Sequence, residues 1–162
     1  MSQHIIHRCM QRELRSLERE LAAYPDDASV WALPPGIKNS AGTLALHLAG
    51  NLQHFVGGQL GKTGYVRNRE AEFARRGASR AELAREIHAA AGAIDAGFTS
   101  VNDDVLASEF PEKIAGITFT TLDWLVHLSA HLGYHIGQID YHRRLVTGDE
   151  TTVDAVPVKE LG

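Results

Sequence analysis

The chain has 162 residues, of which 44% are hydrophobic and 22% are charged, and its formal net charge is −4. These values predict one globular domain with a sizeable core, and the lack of a basic surplus argues against nucleic-acid binding. No apolar run approaches the roughly 18 residues of a membrane span, and the N-terminus lacks an apolar signal core. We therefore expect a cytoplasmic protein with no membrane partner, in which the single cysteine, Cys9, excludes an internal disulfide.

Apolar residues recur at helical spacing in the first two predicted helices. The first covers about 3–23, and Pro25 ends it before a proline-rich loop at 30–39. Its apolar stripe consists of Ile6, Met10, Leu14, Leu17 and Leu21. The second begins after Ser40, a predicted N-cap, and runs to about Leu60. A polar stripe adjoins its apolar face and consists of His47, Asn51 and His54.

A charged segment separates the second long helix from the third. Residues 65–78 are compatible with a short helix, and Ser79 with Glu82 forms an S-x-x-E capping box that begins the third long helix. The inward positions predicted for that helix are Leu83, Ile87, Ala90, Ile94 and Phe98.

The fourth long helix follows a loop predicted at 100–117. It spans about Thr120 to Val146 and stops at Gly148, which leaves 149–162 as a loose tail. Four long helical patterns without a strand pattern predict an all-α four-helix bundle with long connecting loops. The predicted organisation is one domain over 1–148 followed by the tail.

The fourth helix carries three histidines at four-residue intervals on one line of its surface. The line consists of Trp124, His127, His131, His135, Gln138, His142 and Leu145. Because Leu128 and Leu132 lie on one flank and small residues such as Gly137 on the other, we expect the line to face the interior. Buried imidazoles need partners for both ring nitrogens, so several on one inward line indicate a ligand.

A histidine pair at i,i+4 can converge on one divalent ion, because its rings are about 6 Å apart along the helix and bind at about 2.0–2.1 Å. The span from His127 to His135 is about 12 Å, too long for a single mononuclear site. The centre must then be His131 with one neighbour, and His47 is the natural candidate for a third ligand from a facing helix. Structural histidines without a metal are the alternative interpretation.

Three stretches together resemble the DinB/YfiT-like metalloenzyme superfamily. They are SAGTLALHLAGN at 40–51, YVRNREAEFARR at 65–76 and TLDWLVHLSAHLGYHIGQI at 121–139. The ending H-x-x-x-H-x-G-Q, from His131 to Gln138, is the most specific part.

This resemblance implies a four-helix bundle with one divalent ion, zinc or nickel, held by His47, His131 and His135. It also implies open metal positions for water or substrate, and pairing of the protein as a homodimer. His127 would then pack beside the site or in the core, and Gln138 could orient a ligand or water.

The function implied is chemistry on a small-molecule substrate that uses a low-molecular-weight thiol, as a transferase or an isomerase. A metal-dependent hydrolase and a non-catalytic metal-binding or stress-response bundle remain alternatives. An H-E-x-x-H protease is disfavoured, because Leu128 and Leu132 stand where Glu would be needed. The arginine-rich segment 65–76 either forms a solvated surface helix or places an arginine over the site to hold a carboxylate.

Overall fold

The computed structural model describes residues 2–154 and 156–161. This described part of the chain contains six α-helices and no strands. Residues 1, 155 and 162, which belong to the predicted domain and tail, lie outside the described residues. The helices are α1 Ser2–Ala22, α2 Ala41–Leu52, α3 Arg69–Ala74, α4 Arg80–Phe98, α5 Asp103–Ala107 and α6 Thr121–Thr147. A π-helix at Gln53–Leu60 continues α2, and short 3₁₀ turns occupy Ser29–Trp31 and Val158–Leu161. The predicted all-α class is confirmed.

Capping residues fix the ends of the long helices where the sequence predicts them. The Ser40 hydroxyl accepts from the Thr43 backbone N–H and begins α2, and Ser79 and Glu82 form a complete capping box at the start of α4. Gly148 ends α6 in the left-handed conformation with φ 70°, which costs a glycine little. The boundaries of the long helices therefore follow from local hydrogen bonding.

The four long helices contact one another in a closed ring around one core. Helix α1 packs on α4 and α6, while α2 packs on the same two helices from the other side. Fully or almost fully buried residues come from every wall, among them Leu14, Leu48, Ile87 and Leu132. None of the described helices combines the length and the apolar character that crossing a membrane would require.

The line of histidines on α6 lies at the edge of the buried face, and the prediction that it faces the interior is wrong in detail. His127 is exposed, and His131 and His135 are half-buried. Trp124 and His142, near the two ends of the line, are buried, and the aliphatic residues that α6 buries are Leu125, Leu128, Leu132, Ile136 and Ile139. Burying aliphatic side chains stabilises the fold more than burying imidazoles, so the leucine flank turns inward.

The small residues on the other flank of α6 face outward instead of allowing a close helix. A Cβ placed on Gly133 or Gly137 would meet no described atom within 4 Å. Neighbouring Tyr134 is 64% exposed. Within one chain, this face of α6 has no helical partner.

The described part of the predicted loose tail is packed against α1. Glu160 accepts from Arg15 Nε at 2.6 Å and from Arg19 Nη1 at 3.0 Å. Arg19 Nε also donates to the Val153 carbonyl at 3.1 Å. Two arginines that the sequence places on the polar side of the first helix thus hold the tail, which explains the difference from the prediction.

Candidate metal centre

Three histidines from two facing helices meet at one point. His47 comes from the middle of α2, and His131 and His135 come from successive turns of α6. The His47 and His131 Nε2 atoms are 3.3 Å apart, and those of His131 and His135 are 3.1 Å apart. The three candidate ligand atoms all lie within 4.8 Å of one another, so this group could hold a metal ion.

These separations suit a common divalent ion. Nitrogen–metal bonds of about 2.0–2.1 Å in tetrahedral geometry place two nitrogens about 3.3–3.4 Å apart. Both measured Nε2 contacts of His131 fall close to that value. The predicted His47, His131 and His135 are therefore brought together, and the neighbour of His131 left open by helical spacing is His135.

Hydrogen bonds on the far side of two rings leave their converging nitrogens without a proton. Glu72 Oε2 accepts from His47 Nδ1 at 3.0 Å, and Gln138 Oε1 accepts from His135 Nδ1 at 2.7 Å. With Nδ1 as donor, the Nε2 atom of each neutral ring carries a lone pair. His131 Nε2 faces both lone pairs and can donate a proton to only one. A cation would satisfy all three nitrogens, so the donor set fits a metal.

Glu72 is the site residue that the sequence patterns do not reveal. It lies on the short helix α3 and is only 7% exposed. Arg67 holds its carboxylate from two directions, through Nε to Oε1 at 2.7 Å and Nη2 to Oε2 at 2.9 Å. The chain Arg67–Glu72–His47 thus fixes the orientation of one ligand ring.

A glycine on α2 makes room for this carboxylate. A Cβ on Gly50 would overlap the Glu72 side chain, with Oε1 and Cδ as its nearest atoms. Gly50 lies one turn after His47 on the same helix, so close approach of α3 to α2 depends on it. No spacing pattern in the sequence identifies Glu72. The one indication of its position is Gly50, which lies beside a predicted ligand in a helix otherwise rich in alanine and leucine.

Electrostatics favour a neutral imidazole and an ionised carboxylate here. Burial, followed by the neighbouring His135 and His47, lowers the pKa of His131 to about 4. Burial also lowers the pKa of His135, against the opposing hydrogen bond to Gln138. Burial raises the pKa of Glu72, but hydrogen bonds from His47 and Arg67 outweigh it and the net shift is downward.

Aromatic rings lie next to His47 and next to Arg67. The His47 ring centroid is 5.0 Å from that of Phe73, and the Arg67 guanidinium lies 5.7 Å from the centre of the Phe55 ring. Of the four arginines in the 65–76 segment, Arg67 therefore reaches the site. It contacts Glu72 there, in place of the substrate carboxylate considered from the sequence.

The other polar residues singled out from the sequence lie outside the three-histidine group. His127 is exposed and stacks on Trp124 with centroids 4.7 Å apart and on His131 with centroids 6.1 Å apart, so it lies beside the group and outside the core. His54 pairs with Glu112 at 2.8 Å. His142 is buried, with Nδ1 bonded to Tyr24 and Nε2 to the Ala32 carbonyl.

The described residues form an all-helical fold with a cluster of three histidines between two helices, which defines the class of protein as one that could hold a metal ion there. The chain belongs to the family of proteins of unknown function DUF1572, whose model matches residues 3–160. That family lies within the DinB/YfiT-like fold family. No curated protein and no solved structure matches the chain.

Proposed function

We propose that His47, His131 and His135 bind one divalent metal ion in a DinB/YfiT-like four-helix bundle, and that the protein is a metal-dependent enzyme. The observation that carries this proposal is the convergence of three Nε2 atoms, two of which are held as lone-pair donors by Glu72 and Gln138. Three imidazole rings, which coordinate through nitrogen, suit zinc or nickel.

An enzyme is favoured over a structural metal clamp by the number of ligands. Among the described residues, no fourth histidine, cysteine or carboxylate joins the group. Glu72, the acidic residue nearest in the hydrogen-bond network, is committed to His47 Nδ1 and Arg67. Catalytic sites typically have three protein ligands and an open position, whereas structural sites are closed by a fourth.

The chemistry we propose is transfer or isomerisation that uses a low-molecular-weight thiol. A divalent ion held by three neutral ligands would act as a Lewis acid and lower the pKa of a thiol or water in its open position. Cys9 lies half-buried on α1, which carries none of the three histidines, so the thiol comes from outside the chain. The Phe73 ring lies 5.0 Å from the His47 ring, and such an apolar neighbour strengthens local electrostatic interactions.

Metal content of protein purified without an affinity tag tests the binding. Elemental analysis by mass spectrometry should find one equivalent of zinc or nickel in the wild type. The His131→Ala variant should lose the metal, and the His127→Ala variant should retain it. His127 is the matched control because it lies one turn away on α6 but outside the group. Equal metal content in wild type and His131→Ala would reject the assignment.

Activity is tested separately with metal-loaded protein, a panel of small thiols and a panel of electrophiles. Turnover that needs a thiol and disappears in His135→Ala supports the transferase or isomerase. Ester or amide hydrolysis that needs no thiol would favour a metal-dependent hydrolase. Full metal occupancy without turnover, and without exchange of a metal-bound ligand, would favour a non-catalytic metal-binding protein.

We also propose that two copies pair through the unpartnered face of α6, where Val126 and Tyr134 are 52% and 64% exposed. Burying such a face is favourable. Light scattering should give the mass of a dimer for the wild type and of a monomer for Val126→Asp. Leu33→Asp, at an equally exposed position in a loop, should leave the mass unchanged.

A further inference from the structure

A cavity of about 550 Å³ lies between residues 36–39 and α6. Gln138, Tyr141 and Leu145 line it from α6, spaced so that all three share one face of that helix. Leu44, one turn before His47 on α2, forms part of the inner wall. Small-molecule sites commonly have volumes of about 300–1,000 Å³, mostly apolar walls and a few polar groups.

Among the described residues that line this cavity, Lys38 alone is charged. The side chain is exposed at the mouth and has no ion-pair partner among the described residues. The nearest acidic residue on the adjoining stretch of α6, Asp140, is bonded to Arg143 and Arg144. An ammonium group beside a largely apolar cavity, with no carboxylate among the described lining residues, is complementary to an anion.

The remaining polar groups of the lining are divided between structural bonds and free donors. Both ring nitrogens of His142 are hydrogen-bonded, one to Tyr24 and the other to the Ala32 carbonyl, so neither is available to a molecule in the cavity. Gln138 gives its Oε1 to His135 Nδ1, which leaves its NH₂ group as a donor. The cavity therefore offers donors and a cation, and apolar walls from Leu44 and Leu145.

A second cavity of similar size shows why this one stands out. It measures about 520 Å³ and lies between α1 and α4, where Glu18, Asp27 and Arg80 line it. There Arg80 pairs with Asp27 at 2.9 Å, and Glu18 pairs with His88 at 2.7 Å. Each charged residue of that lining therefore has a side-chain partner, whereas Lys38 has no ion-pair partner among the described residues.

We propose that the cavity beside Lys38 binds a small organic carboxylate with an apolar body. The carboxylate pairs with Lys38, and the apolar body packs against Leu44, Tyr141 and Leu145. The cavity meets the metal centre through Gln138, on the Nδ1 side of His135 and away from the converging Nε2 atoms. This site is thus distinct from the proposed metal position, and binding there requires no metal.

Calorimetry of metal-free protein with 4-phenylbutanoate tests the inference, with 4-phenylbutanamide as a neutral ligand of the same shape. We expect the carboxylate to bind and the amide to bind much more weakly. Lys38→Met should weaken carboxylate binding about fivefold, while Lys62→Met, at another exposed lysine, should not. Leu145→Asp should also weaken it, because it places a negative charge at the mouth; Leu122→Asp, at the other end of α6, is its control.

Several results would overturn the proposal. Equal binding of the carboxylate and the amide would remove the role of charge, and unchanged binding in Lys38→Met would remove the role of Lys38. Absence of binding at millimolar carboxylate, together with loss of a dimer in Leu145→Asp, would show that a second copy covers the cavity. His131→Ala separates this inference from the metal proposal, since it should lose metal and still bind the carboxylate.

Discussion

Glu72 and Arg67 fix the orientation of His47 although neither belongs to the three-histidine group. Glu72 keeps the proton of His47 on Nδ1, and Arg67 keeps Glu72 ionised and in place. Partners of this kind typically account for ten- to a hundredfold in metal affinity. The same pair also limits rotation of the His47 ring.

Glu72→Gln is therefore expected to weaken metal binding by about tenfold or more, because its amide oxygen is a poorer acceptor than a carboxylate and Arg67 loses its ion pair. Gly50→Ala should weaken it too, since the added Cβ would displace the Glu72 carboxylate. Competition with a zinc chelator measures both. Glu70→Gln, an exposed change on the same helix, is the control, and an unchanged affinity in Glu72→Gln would contradict the positioning role.

Competition between protons and metal at His131 predicts how metal binding depends on pH. Metal binds the neutral ring, and the pKa of His131 is lowered to about 4 by burial and by His135 and His47. Protons therefore compete only as the pH falls well below the ordinary value of about 6.5. Dialysis at stepped pH followed by metal analysis should show metal retained at pH 6 and released nearer pH 4, with helicity monitored alongside. Release centred at pH 6.5 or above would contradict the lowered pKa.

The three histidines of the candidate site could be predicted from the sequence, and Glu72 could not. Helical spacing gives His131 with one i,i+4 neighbour and makes His47 the candidate from a facing helix, whereas the choice of His135 as that neighbour comes from the family resemblance. Glu72 reaches the site because the irregular segment 62–68 leads into α3, which packs on α2. That path depends on tertiary contacts between segments, and no periodic pattern encodes it.

Helical elements were predictable because their caps and apolar periods are local signals. The rotation of α6 about its own axis was harder to predict, because the histidine line and the leucine flank lie close together on the surface of that helix. The apolar period also did not predict a change of helix type. The helix predicted to continue to Leu60 becomes a π-helix after Leu52. Gly57 within it and Gly61 just after it lie against α4, where a Cβ would meet Ala93 and Gly97, respectively.

This contact between the π-helix and α4 gives a prediction about stability. A Cβ on Gly97 would lie 2.6 Å from Val56 Cγ1 and 2.7 Å from the Val56 carbonyl oxygen. Gly97→Ala should therefore lower the free energy of unfolding by about 1–3 kcal/mol through overpacking. Gly92→Ala, on the same helix with nothing within 4 Å, should instead raise it by about 0.5–1 kcal/mol. Urea denaturation compares them, and equal effects would contradict the close crossing.

At the scale of the whole molecule, one buried ion pair joins the first helix to the last. Glu20 on α1 and Arg143 on α6 are fully buried, with Nε and Oε2 2.7 Å apart. Arg143 also donates to Asp140 and to the Thr151 carbonyl, so it links both helices to the start of the tail. Burial raises the pKa of Glu20 even with this partner, and favours protonation once the partner is removed.

Arg143→Met should therefore destabilise the fold by about 3–5 kcal/mol, the usual cost of leaving one member of a buried pair alone. A carboxyl whose pKa is higher in the folded than in the unfolded state binds its proton more tightly when folded. Its stabilising effect is present below the unfolded value and is lost as the pH rises. The variant should lose more stability at pH 8 than at pH 5, as measured by urea denaturation. Adding Glu20→Gln should recover part of the loss and remove most of that pH dependence, whereas additive effects of the two changes would show that the residues are not coupled.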